Sequence, residues 1–282
     1  MIIIRLSGGL GNQLFQYALA RKFKEKGNAD IKIDASYLRP SKQDMVTRRE
    51  FLLDNFNITL KVLNSAGVLM RKIKTNLSRI MKTIYDPKQF GYDKSVFDCK
   101  DNCFLAGNWA NPQYFDDIKP VLLREITLKN ALSDKTEKIL EMINNSESVS
   151  IHIRRGDYVN YQNKFILLPM EYYERAIGII RGKVRNPAFF IFSDEIEYAK
   201  DNLKAILGEK FFYVSGDEIN EYEELMLMSR CEHNIIANST FSWWGAYLNQ
   251  NDGKIIIAPK KFRKDGIDES GLIPDEFGWI KI

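Results

Sequence analysis

The sequence predicts an α/β protein of two lobes, the second built on a doubly wound parallel sheet. Three observations carry this. Beyond residue 146, short β-branched or aromatic runs alternate with helical stretches, the pattern of βαβ units. At the N-terminus, Ile2-Ile3-Ile4 runs through Ser7-Gly8-Gly9-Leu10-Gly11-Asn12-Gln13 into an apolar-periodic stretch, giving strand, glycine loop and helix. The 282 residues, 45% of them hydrophobic, suffice for one large domain or two lobes of ordinary size. Asn144-Asn145-Ser146 is the best linker, so the lobes are expected at 1–146 and 147–282.

In the first lobe, Ile2-Ile3-Ile4 has the β-branched content of a short buried strand. The helix after it is expected from Leu14 to Lys26, closed by Gly27-Asn28, and Ile31-Lys32-Ile33 is a second strand ending at Asp34. Residues 36 to 60 are polar and show no clear period. From residue 68 to 85, Val68, Leu69, Ile73, Leu77, Ile80, Met81 and Ile84 recur at three and four, with Arg71, Lys72, Lys74, Arg79 and Lys82 between them. That spacing predicts a basic amphipathic helix, which either touches the anionic inner face of a membrane peripherally or covers the lobe with its cations in solvent. Phe104-Leu105-Ala106 reads as a strand entering the loop Gly107-Asn108-Trp109, with Asn111-Pro112-Gln113-Tyr114-Phe115 beyond it. Aromatic faces beside amides suit a sugar, and an ordinary packed loop has the same composition. Ser133 is an N-cap ahead of Asp134 and Glu137, opening a helix that ends at Asn144.

The second lobe opens with the strand in Ser148-Val149-Ser150-Ile151-His152-Ile153. It continues as helix Met170 to Gly182, strand Ala188 to Phe192, helix Glu195 to Leu207, strand Phe211 to Val214 and helix Ile219 to Cys231. Strand Asn234 to Ala237, a helix from about Thr240 to Leu248, and strand Lys254 to Ala258 complete it. No sequence repeat relates the lobes.

Composition excludes several classes. The net charge of +4, from 41 Lys and Arg against 37 Asp and Glu, suits an enzyme of anionic substrates and falls short of a nucleic-acid binder's basic field. Met1 to Ile4 is too short an apolar run for a signal peptide and has no basic segment ahead of it. No apolar run approaches the roughly 20 residues that span a bilayer. Cys99, Cys103 and Cys231 form no CxxC, so the expectation is reduced thiols in a cytoplasmic protein, with neither a disulfide framework nor a zinc cluster.

Chemistry concentrates at strand ends, where open α/β sheets hold their ligands. His152-Ile153-Arg154-Arg155-Gly156-Asp157, Ser193-Asp194-Glu195 and Asn238-Ser239-Thr240-Phe241-Ser242-Trp243-Trp244-Gly245 each follow a strand, and a parallel sheet puts all three on one edge. The third opens a helix with hydroxyls at Ser239, Thr240 and Ser242, a seat for an anion. The first supplies guanidinium forks that match phosphate oxygens. Together they describe a diphosphate site. No Asp-x-Asp occurs, and two histidines without clustered carboxylates make a poor metal site, so no metal and no cofactor are expected. A leaving diphosphate would then be stabilised by arginine and a helix end. The glycine loop lacks the dinucleotide fingerprint's third glycine, Leu14 standing in its place, and no Gly-x-Ser-x-Gly elbow is present.

In four segments the chain resembles the α-1,2-fucosyltransferases of glycosyltransferase family 11. They are Gly8-Gly9-Leu10-Gly11-Asn12-Gln13-Leu14-Phe15-Gln16-Tyr17-Ala18, His152 to Tyr158, Phe192-Ser193-Asp194 and Asn238 to Ala246. The resemblance implies a GT-B type fold of two Rossmann-like lobes facing across a cleft. It also implies inverting, metal-independent transfer from GDP-β-L-fucose to the 2-hydroxyl of a β-galactoside, in O-antigen or other surface glycan synthesis. The donor is then held mainly by the second lobe and the acceptor mainly by the first. Arg154 matches the arginine expected to grip the diphosphate, Ser239 and Thr240 match phosphate contacts, and His152 and Asp194 are candidates for nucleotide contacts, with Asn238 and Ser242 in the same donor segment. Gly9, Gly11, Asn12, Gln13 and Trp109 are the candidates on the acceptor side. Glu224 stands where the family often carries Asp, and its carboxylate can still accept from the guanine N1 and N2 donors. Asp157 is the first candidate for general base and His152 the second. Another GDP-deoxysugar donor, or a catalytically silent glycan-binding protein of the same fold, are the alternatives.

Overall fold

The computed structural model describes residues 1–27, 30–38, 50–63, 81–86, 90–208, 210–216 and 218–282. The chain forms two compact units, Met1–Lys129 with Asp268–Pro274, and Asn130–Ile267 with Asp275–Ile282.

The first unit holds a parallel five-stranded sheet of β1 (Ile2–Arg5), β2 (Ile31–Asp34), β3 (Lys61–Leu63), β4 (Lys82–Tyr85) and β5 (Cys103–Ala106), in the order β3-β2-β1-β5-β4. Helix α1 (Leu10–Glu25) begins four residues earlier than its periodicity predicts. The glycine loop stops at Gly9, short of residue 13. Gly9 is the extended N-cap, and its carbonyl accepts from Asn12 N at 3.0 Å and Gln13 N at 3.1 Å. Only Gly8, at φ +77°, needs glycine for its backbone. Leu10, Leu14, Phe15, Ala18 and Leu19 are all buried, so tertiary packing overrides the poor helix propensity of Gly11 and Asn12. Helix α2 (Lys119–Glu125) ends on a buried polar network. Glu125 accepts from Arg21 Nε at 2.8 and 3.0 Å, from Thr59 Oγ1 at 3.0 Å, and from the Tyr17 hydroxyl.

Two expectations change in this unit. Residues 68–80 of the basic helix expected at 68–85 lie outside the described residues, and Lys82–Tyr85 is strand. There the β-branched pair Thr83 and Ile84 lies in parallel register against Phe104 and Leu105. The thiols of Cys99 and Cys103 form a disulfide, with Cα atoms 6.4 Å apart, where reduced thiols were expected; a separation of four residues lets the turn into β5 bring them together. Cys231 is free and buried. Among the described residues no helix is long and apolar enough to cross a membrane.

The second unit begins with α3 (Asp134–Asn144), capped by Ser133, whose Oγ accepts from Thr136 N at 3.3 Å. Its strands are β6 (Glu147–Ile153), β7 (Pro187–Ser193), β8 (Phe211–Tyr213), β9 (His233–Ile235), β10 (Ile256–Ala258) and β11 (Ile280–Lys281). They are all parallel, in the order β11-β10-β9-β6-β7-β8. The helices between them are α4 (Met170–Arg181), α5 (Ile196–Leu207), α6 (Glu221–Arg230) and α7 (Thr240–Tyr247). The expected boundary at 146/147 moves to 129/130. Asn144-Asn145-Ser146 is a tight helix-to-strand turn, with Ser146 Oγ donating to Met142 O at 2.9 Å, and Ser133 N ahead of α3 donates to Glu223 Oε1 on α6 at 2.9 Å.

The period of two along β6 explains both of its faces. Val149, Ile151 and Ile153 enter a core with Tyr173, Ala176, Ile177 and Ile180 of α4 and Ala199, Leu203 and Leu207 of α5. Ser148 and Ser150 point the other way into a buried polar ladder. Ser148 Oγ accepts from Glu232 N at 3.0 Å, and Ser150 Oγ accepts from Asn234 Nδ2 at 2.8 Å. The next residue on that polar face, near the strand's carboxyl end, is His152.

Candidate active site

Ile153 pairs with Ser193 and Ile151 with Ile235, so β6, β7 and β9 end side by side and their three loops share one edge. Arg154 is at the centre of it. Its Nη2 donates to Asp157 Oδ1 at 2.6 Å, and its Nη1 lies 3.0 Å from Asp194 Oδ2. Burial works against the arginine's charge, but Asp194 and then Asp157 outweigh it and hold the guanidinium protonated. Asp194 is also pinned from the backbone, its Oδ1 accepting from Arg155 N at 2.9 Å. Desolvation pushes its acid upward, against the pull of Arg154. Gly156 has no side chain here for a steric reason, since a Cβ would overlap Asp194 Oδ2.

His152 is buried, its ring centroid 5.5 Å from that of Phe241 in the first turn of α7, and its Nδ1 has no hydrogen-bond partner. Desolvation, followed by the charge of Arg154, pushes its pKa down to about 3, so the imidazole is neutral. Glu224, half-buried on α6, is pushed up to about 7, chiefly by desolvation and against a hydrogen bond with Ser215. Ser215 Oγ in turn accepts from Ser193 N at 2.9 Å, which links Glu224 to the β7 loop. The structure brings His152, Arg154, Asp157 and Asp194 together at this edge and joins Glu224 of α6 to it through Ser215.

The loop after β9 is corrected in part. Ser239 caps α7, its Oγ accepting from Phe241 N at 3.3 Å, and Thr240 opens the helix. Ser242 is buried, with its hydroxyl turned back toward Ala237 O and Ser239 O, so it packs inside the helix turn and presents nothing to the edge. Asn238 is a tie. Its Nδ2 donates to Ile166 O and Phe262 O, both at 2.8 Å, and its own carbonyl accepts from the Tyr158 hydroxyl at 2.9 Å.

Sequence reasoning gives no role of their own to Tyr158, Phe165 or Glu195. The Tyr158 ring stacks on Phe165 at 4.1 Å with the Arg154 guanidinium 5.4 Å from its centroid, so it braces the arginine and joins two of the loops. Arg155 turns away from Arg154 to Glu195 Oε2 at 3.1 Å and lies 3.6 Å over the Tyr198 ring. The one available signal was the Tyr beside Asp157 in the same motif.

The acceptor-side candidates belong to the first unit, and two are corrected. Gln13 is buried and its amide is spent on the backbone: Nε2 donates to Gly8 O at 3.1 Å and Glu50 O at 2.8 Å, and Oε1 accepts from Leu52 N at 3.1 Å. Trp109 is 0% exposed and packs edge-on to Tyr114 at 5.8 Å, which makes it a core residue and not a sugar platform. Gly11 is buried within α1, while Gly9 and Asn12 stay partly accessible at its start. Among the described residues no group of three His, Cys, Asp or Glu side chains is placed to hold a metal ion.

Comparison with known proteins is consistent with this layout. The family model "Glycosyl transferase family 11" matches residues 1–269. The O-antigen biosynthesis glycosyltransferase WbnK of Escherichia coli is 33% identical, over 98% of this chain and 99% of its own length. An alpha-1,2-colitosyltransferase of Escherichia coli is 32% identical, over 100% and 99%. Galactoside alpha-(1,2)-fucosyltransferase 2 of Hylobates lar is 25% identical, over 99% and 79%. Among solved structures, the fucosyltransferase NodZ from Bradyrhizobium superposes with a TM-score of 0.52 at 13% identity, over 87% of this chain and 92% of that one, a likeness of fold alone. The fold is of GT-B type, with two Rossmann-like units on parallel sheets.

Proposed function

The chain belongs to glycosyl transferase family 11, and we propose that it transfers L-fucose from GDP-β-L-fucose to the 2-hydroxyl of a terminal β-galactoside, with inversion and without a metal or cofactor. One observation carries the reading: a single arginine, Arg154, held by Asp157 and Asp194 at the strand edge that also bears the start of α7. In this reading Arg154 and the first-turn groups of Ser239 and Thr240 take the diphosphate, and ionised Glu224 accepts from guanine N1 and N2. The acceptor 2-hydroxyl attacks the anomeric carbon as the bond to the phosphate oxygen breaks. The hydroxyl proton passes to Asp157, and the electron pair leaves with GDP against Arg154. His152, neutral and buried, is the second base candidate. The 33% identity to an O-antigen glycosyltransferase supports a surface glycan as acceptor.

A second donor is favoured by a specific finding, the 32% identity to a colitosyltransferase over the whole chain. Colitose is fucose without its 3-hydroxyl, so the two readings differ by one polar contact. The test is an acceptor screen of lactose, N-acetyllactosamine and its β-1,3 isomer with GDP-fucose and with GDP-colitose, with GDP release and product linkage measured. An α-1,2 fucoside as the main product upholds the proposal. Preference for GDP-colitose shifts the donor, and release of no GDP with any pair removes the enzyme reading.

A further inference from the structure

The first unit's sheet also has a carboxyl edge, and it carries a feature that packing does not explain. β1 ends at Arg5 and β2 at Asp34, paired in register. Asp34 Oδ1 accepts from Ser36 N at 3.0 Å and turns the chain into the short 3-10 turn Ser36–Leu38. Leu38 anchors that turn in the core, while Tyr37 between them stands 66% exposed. Arg5 reaches over it, its guanidinium carbon 4.8 Å from the ring centroid, and Arg5 Nε is buried with no hydrogen-bond partner. A buried guanidinium nitrogen without an acceptor is an unfavourable arrangement, and an exposed aromatic face in water is another.

One kind of ligand would cover the exposed ring and use the guanidinium beside it. A pyranose of galacto configuration presents a face of C–H groups that packs on the negative π-face of a tyrosine. Its hydroxyl oxygens accept from a guanidinium beside the ring. The edge is the one that open α/β sheets use for ligands, and β1 runs directly from Arg5 into the Ser7-Gly8-Gly9 turn ahead of α1. We infer that Tyr37 and Arg5 form a sugar subsite for the acceptor glycan, Tyr37 as stacking platform and Arg5 as hydroxyl donor. This rests on the reading of the chain as a galactoside glycosyltransferase. It supplies the exposed aromatic that Trp109, buried, does not.

The test compares the full-length wild type with Tyr37→Ala, Tyr37→Trp and Arg5→Gln in steady-state transfer, using the best galactoside and donor found for the wild type. Tyr37→Ala is expected to raise the acceptor KM about tenfold, equivalent to about 1.4 kcal/mol of acceptor binding. The donor KM should stay within about twofold on the same scale. Tyr37→Trp is expected to restore acceptor KM, and Arg5→Gln to raise it without changing donor KM. Since Tyr37 is exposed, the melting temperatures of its two variants should match the wild type. An unchanged acceptor KM in Tyr37→Ala overturns the subsite while the glycosyltransferase reading stands. A wild type that transfers to no galactoside at all overturns that reading and the subsite with it.

Discussion

Arg154 Nη2 donates to Asp157 Oδ1 at 2.6 Å, so the proposed diphosphate anchor and the proposed base are two halves of one ion pair. The pairing permits a direct exchange of roles. A diphosphate that takes Arg154 frees Asp157 for the acceptor hydroxyl, while Asp194 Oδ2, 3.0 Å from Nη1, keeps the guanidinium in place.

Asp157→Asn separates those roles. Loss of a positioned general base is expected to lower kcat by about 10²- to 10⁴-fold. The donor KM should hold, because Asp194 still orients Arg154. Rates and donor affinity measured together decide it: if both are retained, Asp157 is not the base.

Gly156→Ala tests the other carboxylate without touching a charge. Its Cβ would overlap Asp194 Oδ2 and displace that oxygen from Arg154. Turnover is expected to fall about tenfold or more, a barrier change of at least about 1.4 kcal/mol. Wild-type turnover in this variant, with a normal melting curve, would show that the Asp194 contact does not matter to the reaction.

Glu224 sets a pH dependence whose sign can be worked out. Its carboxyl is pushed up to about 7 in the folded chain, from an ordinary 4.5, by desolvation. Between those values the unfolded chain has lost the proton and the folded chain keeps it, so this group's contribution to stability is complete below about 4.5 and declines as pH rises through about 7. Melting temperatures should therefore fall less across that window in Glu224→Gln than in the wild type. Function runs the opposite way: only the carboxylate can accept from guanine N1 and N2 together, so wild-type donor KM should improve as pH rises through about 7, and the Gln variant should lack that trend.

The second unit was legible because each of its elements carries a local signal. Ser133 caps α3, Gly182 and Gly208 follow α4 and α5, and β6 and β7 are rich in β-branched or aromatic residues. Three kinds of feature were not. α1 begins at Leu10 because burial outweighs the helix-breaking tendency of Gly11, and propensity does not report burial. β4 reads as helix because Met81 and Ile84 continue a three-residue spacing that a four-residue strand also allows. In the site, residue types were legible and their partners were not. Asn238 stands in the donor segment that resembles the family, yet its amide is held by carbonyls 72 and 24 residues away. Tyr158 was passed over because its partner, the Asn238 carbonyl, is 80 residues distant.

Glu125 gives a stability prediction independent of the reaction. It is the shared acceptor for Arg21, Thr59 and Tyr17, and its removal leaves Arg21, 8% exposed, without its main buried counter-charge. Glu125→Ala is expected to destabilise the chain by about 3–5 kcal/mol, read as a shift of the denaturant midpoint. A shift below about 1 kcal/mol, the size of an exposed pair, would mean that the network is solvated.

The most direct test of the account is the transfer rate of Arg154→Ala, measured beside its melting temperature. The account predicts a fall in kcat of about 10²- to 10³-fold, the size of a lost contact to charge developing in the transition state, in a chain that melts normally. Turnover close to wild type in a folded Arg154→Ala protein would contradict it.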